Sequence, residues 1–333
     1  SVKDFGAKCD GITDDTAAVQ LAINYCATFG LRWSSLLVPG RCRITASLKI
    51  NRPVDTELTE FRIIGSGSGG GFYVDSAINL FDSDIASPTG TPVSEFITFE
   101  GITFEASNSG LSAYVLTKKF LRIKFLNCVF QKIKCGNFTL GSDAFAYSQT
   151  FIFQNCNMRY WTGTFLNSYQ NFDLKASSNV MENGGAVFNG AYYGCSFIGN
   201  TAESLTGTFI NVSMGLGITV IGNYTEGNSV YDYRFGSTGT TVGVVFSGNI
   251  QQLTASNAEN SSFYNCILTQ FSSVASSGNY CNGRQFDLTN VVAGQLVSNV
   301  DFPLVALAST SLFTKALASG NVASLDGIAA RDR

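Results

Sequence analysis

The feature that most constrains the fold is a repeat of short apolar segments. In each copy, two alternate apolar positions precede a turn residue, and two further alternate apolar positions follow it, as in residues 97–104, 123–130 and 151–158. The turn position recurs, mostly 16 to 28 residues apart, at Ile102, Cys128, Cys156, Asn179, Cys195, Asn223, Asn249 and Cys266. This spacing is typical of a solenoid, in which each repeat is one coil and neighbouring strands lie ~4.8 Å apart.

A single helix precedes this all-β body. Residues 17–26 place apolar side chains at helical spacing, and Asp14 and Asp15 lie where negative charge complements a helix N-terminus. After residue 50 the helical period gives way to alternation by two. We therefore predict an N-terminal cap over residues 1–50, a β-helix over 51–302, and a C-terminal cap or a junction to a further domain over 303–333.

The first 70 residues resemble a known family. The stretches VKDFGA (2–7), DGITDDTAAVQLAI (10–23), LVPG (37–40) and IIGSG (63–67) are similar to the entry signature of pectate-lyase-superfamily β-helices, which is common in bacteriophage tailspikes and capsule depolymerases. The resemblance implies a single-stranded right-handed parallel β-helix with an N-terminal capping α-helix. It is specific for fold and not for activity.

The absence of histidine excludes several kinds of chemistry. Among 333 residues none is histidine, which removes Ser-His-Asp and Cys-His nucleophiles, histidine-ligated zinc and histidine general bases. Within the family, the histidine motifs of pectate lyases, polygalacturonases and alginate epimerases are absent as well. We predict no cofactor and no metal. A net charge of −3 argues against nucleic acid as a partner. The sequence contains no run of 18 apolar residues, so we predict no membrane span.

The nine cysteines are an odd number, and no pair has the CxxC spacing. This pattern favours reduced, buried thiols over a disulfide framework. Because several cysteines share the turn position with asparagines, we predict that they pack in a ladder along an inner corner of the coil.

Outward acidic residues define the candidate catalytic site. The third residue after each turn position points outward in this register, and the column reads Glu105, Gln131, Arg159, Glu182, Ile198, Glu226, Gln252 and Thr269. Glu182 and Glu226 would lie two rungs apart, about 9.6 Å, near the separation of carboxyl groups in inverting glycosidases. Glu203 and Asp232 are alternative partners, and Asp143 with Asp173 is a second candidate pair. The competing interpretation is a set of solvated turn acids.

Candidate substrate-binding residues cluster in the same middle third: Arg159, Tyr160, Trp161, Tyr231, Tyr233 and Arg234. Amphipathic aromatic rings suit the faces of sugars, although core stacking is the competing interpretation. A basic group (Lys118, Lys119, Arg122, Lys124, Lys132 and Lys134) predicts either a solvated face or attraction of an acidic polysaccharide.

The resemblance implies a phage tailspike-like homotrimer, located on the virion tail and acting extracellularly at the host surface. It would bind and hydrolyse a bacterial surface polysaccharide (capsule, O-antigen or exopolysaccharide) with a carboxylate pair. Two alternatives stay open: a non-catalytic receptor-binding or structural appendage, and a lyase that uses tyrosine with arginine or lysine. Because the chain begins Ser-Val-Lys, without methionine or a signal peptide, we expect a fragment or a processed product.

Overall fold

The chain forms two compact units in the computed structural model, Ser1–Tyr169 and Gln170–Arg333. The structure describes residues 1–28, 34–51, 60–83, 94–117, 120–138, 150–229, 231–235, 241–252, 264–266, 274–277, 279–281, 286–288, 293–297, 305–307 and 312–316. Each unit is a stack of short parallel strands, and the fold is the predicted right-handed parallel β-helix with an N-terminal helix.

The first unit contains the helix α1 (Thr16–Thr28) and two 3-10 helices, Val2–Phe5 and Gly67–Gly69. Its strands are β1 (Asp10–Asp14), β2 (Ser34–Val38), β3 (Arg41–Arg43), β4 (Leu48–Lys49), β5 (Phe61–Gly65), β6 (Gly71–Val74), β7 (Asn79–Asp82), β8 (Ser94–Glu100), β9 (Thr103–Ala106), β10 (Tyr114–Leu116), β11 (Phe120–Leu126), β12 (Val129–Gln131), β13 (Lys134–Phe138), β14 (Phe151–Gln154), β15 (Asn157–Arg159) and β16 (Thr164–Phe172), the last of which runs into the second unit. They pair in three parallel stacks, β1-β3-β6-β9-β12-β15, β2-β5-β8-β11-β14 and β4-β7-β10-β13-β16.

The second unit is built in the same way. Its strands are β17 (Lys175–Ser177), β18 (Val180–Glu182), β19 (Ala186–Tyr193), β20 (Ser196–Ile198), β21 (Thr201–Glu203), β22 (Ile210–Ile221), β23 (Tyr224–Glu226), β24 (Tyr233–Phe235), β25 (Thr241–Ser247), β26 (Ile250–Gln252), β27 (Tyr264–Cys266), β28 (Val274–Ser277), β29 (Tyr280–Cys281), β30 (Phe286–Leu288), β31 (Ala293–Val297), β32 (Val305–Leu307) and β33 (Leu312–Ala316). One stack, β18-β21-β23-β26-β29, carries the candidate acids.

Strand pairs span the predicted domain limits at residues 50 and 302. Strand β4 pairs with β7, and β31 pairs with β33, both in parallel register. Residues on each side of these limits therefore contribute to the same stacks, and the division into caps and body stays a prediction.

The acidic turns ahead of α1 fix the start of the helix. The Asp14 carboxylate accepts hydrogen bonds from the backbone N–H and the hydroxyl of Thr16, and these bonds hold the pKa of Asp14 below its usual value. The Asp15 carboxylate accepts from the N–H groups of Lys8 and Cys9, at 2.6 and 2.9 Å. The helix then buries Val19, Ala22 and Ile23. These aspartates are turn and cap residues, as the sequence pattern indicates.

The prediction that all cysteines are reduced is wrong at one place. Cys9 and Cys42 form a disulfide, although 33 residues separate them in the chain. Strand β1 pairs with β3 so that Asp10 lies opposite Arg41, which brings the preceding Cys9 beside the following Cys42. Cys26, Cys128, Cys135, Cys156 and Cys195 are free thiols, and all of these except Cys26 are buried.

The corner ladder exists, but its membership differs from the prediction. In the second unit the rungs are Asn179, Asn200, Asn223, Asn249 and Asn279, and the side-chain amide of each donates to the next at 2.9 to 3.0 Å. Cys195 lies at another corner, where its thiol contacts the backbone of Asn171 and Leu174. Cys266 lies within β27, opposite Phe235. Cys128 and Cys156 occupy the equivalent corner of the first unit, bonded to the carbonyls of Phe99 and Phe125.

Stacked phenylalanines fill the interior of the first unit. Phe99, Phe125 and Phe153 lie on successive coils with ring centroids 5.2 and 5.1 Å apart, and all three are fully buried. Offset aromatic pairs at this spacing add to the stability gained by burying their apolar area. The alternation by two in the sequence therefore reports the inward face of each strand.

Candidate functional site

Three glutamates lie on consecutive rungs of the second unit. Glu182, Glu203 and Glu226 each end a strand, β18, β21 and β23, and parallel pairing places them directly beside one another. Gln252 continues the column on β26. Adjacent strands are ~4.8 Å apart, so Glu182 and Glu226 are separated by about 9.6 Å along the stack, with Glu203 between them. All three side chains are half-buried. We call these three residues the glutamate column.

In the outward column, Glu203 occupies the rung between Glu182 and Glu226, where the sequence predicted Ile198. The corner residue of this coil is Asn200, not Cys195, so the outward position falls five residues later. Ile198 instead ends β20, where it lies opposite Ile221 and is 42% exposed. The corrected register brings a third carboxylate into the candidate site.

The central carboxyl group holds its proton more tightly than an ordinary glutamate. Partial burial, together with the neighbouring charges of Glu226 and Glu182, raises the pKa of Glu203. Desolvation and like charge both disfavour the ionised form. A carboxylic acid of this kind is suited to donating a proton in general acid catalysis.

Tyr224 supports the column from the same strand as Glu226. Its hydroxyl donates to Oε2 of Glu226 at 2.6 Å, and partial burial together with this bond raises the pKa of Tyr224 to about 12. Tyr224 was not among the site residues predicted from the sequence. The alternation of side chains along a strand could have identified it, because a residue two positions before Glu226 shares its outward face.

We expect Glu203→Gln to stabilise the protein near neutral pH. Because the folded-state pKa is raised, the folded protein loses stability as pH rises through the carboxyl range, and a neutral amide removes this loss. Two cross-strand repulsions are removed, for a gain of about 0.5–1 kcal/mol. The gain should disappear below about pH 4, where the unfolded carboxyl is protonated as well. Urea unfolding between pH 3.5 and 8 measures it.

Glu105→Gln is the matched control, since Glu105 lies one residue before the end of β9 and forms a 2.9 Å ion pair with Arg41 instead of facing like charges. It should leave stability unchanged or lower it by up to about 1 kcal/mol at neutral pH. A Glu203→Gln variant that is less stable than the wild type at pH 7 would contradict the repulsion.

Asp232, a predicted alternative partner, faces the interior. It is 1% exposed, and its carboxylate accepts from the side-chain amides of Asn228 and Gln251. Hydrogen-bonded amides are the usual way in which a buried carboxylate is satisfied. The structure therefore does not bring Asp232 to the surface that carries the glutamate column.

Three predicted binding residues belong to the first unit. Arg159 ends β15 opposite Gln131, and the following Tyr160 is 46% exposed. Trp161 is only 2% exposed and packs edge-on against Phe165, with ring centroids 5.7 Å apart. Trp161 is therefore a core residue in this structure and presents no ring to a ligand.

The other predicted binding residues lie on or near β24. Tyr233 is fully buried against Phe209 and Phe246, with centroid distances of 5.7 and 4.9 Å, so it too is a core residue. Tyr231 is half-buried, and the guanidinium carbon of Arg234 lies 5.5 Å from its ring centroid. Of this group, Tyr231 and Arg234 reach the surface.

The remaining candidates are dispersed. Asp173 pairs with Lys175 at 2.9 Å, whereas Asp143 lies outside the described residues. In the basic group, Lys124 pairs with Glu60 at 2.9 Å and the side chain of Lys134 is buried near the ring of Tyr114. Lys118 and Lys119 lie outside the described residues. The described basic residues thus do not form one free cationic surface.

One group of potential metal ligands consists of Cys9, Asp15 and Cys42. The two sulfur atoms are bonded to each other, and the Asp15 carboxylate accepts two backbone N–H groups. These partners occupy the ligand atoms, so the group serves the N-terminal cap.

The fold and the column define a right-handed parallel β-helix with an outward carboxylate array. The sequence matches no protein-family model and none of the curated proteins with which it was compared. Among solved structures, the chain is similar over 92% of its length to the tailspike protein of Acinetobacter baumannii phage AM24, with a TM-score of 0.66 and 17% identity, and it spans about half (53%) of that protein. It is also similar to PfbA, a surface adhesin of Streptococcus pneumoniae, with a TM-score of 0.52 and 12% identity over 94% of this chain and 92% of that one. At these identities the likeness establishes the fold.

No helix among the described residues is long and apolar enough to cross a membrane.

Proposed function

We propose that this chain binds and hydrolyses a bacterial surface polysaccharide. The observation that carries the proposal is the glutamate column, whose central member, Glu203, has a raised pKa caused by burial and two neighbouring carboxylates. Glycoside hydrolysis requires one protonated and one ionised carboxyl group at the scissile bond. The column places three carboxyl groups on three consecutive coils, and the raised pKa of the central one makes it the best suited of the three to the acid role.

In the proposed reaction Glu203 is the general acid, and it protonates the departing glycosidic oxygen. Glu226, an acceptor for the Tyr224 hydroxyl, is the carboxylate that attacks the anomeric carbon. Their strands are ~4.8 Å apart, close to the ~5 Å carboxyl separation of retaining enzymes. Water then cleaves the glycosyl–enzyme bond while Glu203 takes back a proton. The pair Glu182 and Glu226, two rungs apart, corresponds instead to the wider inverting arrangement.

Location and assembly belong to the same proposal. The likeness to the AM24 tailspike supports a place on a phage tail. From the family resemblance of the first 70 residues we further propose action outside the host cell and assembly as a homotrimer. Light scattering measured during size-exclusion chromatography gives the number of chains directly.

A second candidate is a non-catalytic adhesin. The observation that favours it is the likeness to PfbA, a surface adhesin that the chain covers almost completely. In this case the same surface would bind glycans, and the carboxyl groups would act as hydrogen-bond acceptors for sugar hydroxyls.

The discriminating experiment incubates the protein with purified capsule and O-antigen from candidate hosts and follows chain length and reducing ends together. We expect shorter chains, one new reducing end per cleavage, and a product anomer that NMR identifies as retained. Binding without shortening would favour the adhesin. Shortening with new ultraviolet absorbance, from an unsaturated product, would indicate a lyase.

A further inference from the structure

The outward column that follows the glutamate column along each coil contains a cation with no counter-ion among the described residues. Strand β24 follows β23 in the chain, and its middle residue, Arg234, points outward because Tyr233 and Phe235 are fully buried. Arg234 lies opposite Asn211 of β22, which in turn lies opposite Asn189 of β19. Each of three consecutive coils thus contributes one glutamate and then one amide or guanidinium group.

The charges of this region isolate Arg234. Between residues 170 and 252 the chain has five acids and two cations, Lys175 and Arg234. Lys175 pairs with Asp173 at 2.9 Å. Within the described part of the chain, Arg234 has no ion pair. The nearest acid in sequence, Asp232, faces the core, and Asp287 lies two rungs further along the column, about 9.6 Å away.

The guanidinium group has one shielded side and one side open to solvent. It lies against the ring of Tyr231, and its Nε is shielded from solvent with no hydrogen-bond partner. Nε is the one nitrogen of this side chain that is shielded in this way, so the terminal nitrogens form the edge that faces solvent. An oriented guanidinium edge matches the two oxygens of a carboxylate and forms paired, charge-assisted hydrogen bonds with it.

We infer that Arg234 binds the carboxylate of an acidic sugar, so that the polysaccharide is an anionic polymer with uronic-acid-type residues. This inference rests on the proposed function, because it assigns a substrate class to the surface beside the glutamate column. Asn189 and Asn211, whose amides bond to each other at 2.6 Å, leave the rest of the column neutral.

The test measures binding of the full chain to hyaluronan, a uronic-acid polymer, and to the same polymer after reduction of its carboxylates to alcohols. We expect reduction to weaken binding at least about tenfold. Arg234→Gln should weaken binding to native hyaluronan by about 10- to 100-fold, the range of a charge-assisted bidentate contact. Arg234→Lys keeps the charge and loses the paired geometry, so its affinity for hyaluronan should lie between that of the wild type and that of Arg234→Gln.

The matched control is Arg62→Gln, which also removes one positive charge but at an arginine already paired with Glu100. It should change binding less than twofold, and thermal unfolding verifies that each variant is folded. Three results would overturn the inference. Arg234→Gln could bind hyaluronan as tightly as the wild type, or reduction of the carboxylates could leave the affinity of the wild type unchanged. The third is a wild type that does not bind hyaluronan.

The outcomes separate the two proposals. A chain that cleaves neutral polysaccharides and ignores carboxylates keeps the proposed function and overturns the role of Arg234. A chain that binds hyaluronan through Arg234, but shortens no polysaccharide, supports the role of Arg234 and contradicts the proposed hydrolase activity.

Discussion

If the proposed hydrolysis is correct, we expect Glu203→Gln to lower the rate of polysaccharide cleavage by about 10² to 10⁴, the usual contribution of a general acid. The amide has nearly the shape of the carboxylic acid but no proton to donate, so binding of the polymer should persist. The initial rate of reducing-end formation, measured at saturating substrate, reports the loss. Because the pKa of Glu203 is raised, the wild-type rate should fall on the alkaline side as this group ionises.

Two comparisons make the result specific. Glu105→Gln changes the same residue type near the end of a strand, β9, in the first unit and should leave the rate within twofold of the wild type. Glu226→Gln should be as damaging as Glu203→Gln, because the proposed attack on the anomeric carbon is lost. If Glu203→Gln and Glu226→Gln both cleave at near-wild-type rates, this column is not the catalytic centre.

The second large effect concerns the asparagine ladder. Asn223→Ala is expected to lower the free energy of unfolding by about 2–4 kcal/mol, because each buried polar group left without a partner costs about 1–3 kcal/mol. The side-chain oxygen of Asn223 accepts from the backbone and the side chain of Asn200, and its amide donates to the carbonyl of Phe197. Alanine removes these three bonds, and a fourth to Oδ1 of Asn249, in a site that is 1% exposed.

Asn223→Cys is the matched variant, because the first unit uses cysteine at the same corner. There the Cys128 thiol donates to the carbonyl of Phe99, as the Asn223 amide donates to Phe197. We expect the cysteine variant to lose about half as much stability as the alanine variant, measured by urea unfolding. Equal losses would contradict this expectation and would mean that the thiol contributes nothing at this corner, so that the lost acceptor for Asn200 sets the cost.

The repeat, the helix and most corner residues could be predicted from sequence because each depends on local periodicity. The wrong rung at Cys195 has a physical cause. A Gly-Cys corner at 194–195 bonds its thiol to the backbone of Asn171 and Leu174, which is the same chemistry as the ladder, but in another stack. Local pattern cannot distinguish two equivalent corners of one coil, since only the pairing between coils assigns each to its stack.

The candidate site was only partly predictable for the same reason. Glu182 and Glu226 follow from alternation after correct corners, whereas the place of Glu203 depends on Asn200. The burial of Asp232, Trp161 and Tyr233 depends on partners from other coils, such as Gln251 for Asp232 and Phe246 for Tyr233. The disulfide between Cys9 and Cys42 likewise depends on the pairing of β1 with β3.

The coils of the second unit have different lengths and still share one ladder. Successive rungs are separated by 21, 23, 26 and 30 residues, yet their amide bonds stay at 2.9 to 3.0 Å. The corners therefore act as fixed attachment points, and the chain between them tolerates additions. New binding surfaces could be engineered by transplanting loops between rungs while the asparagines, and the stack they align, are left untouched.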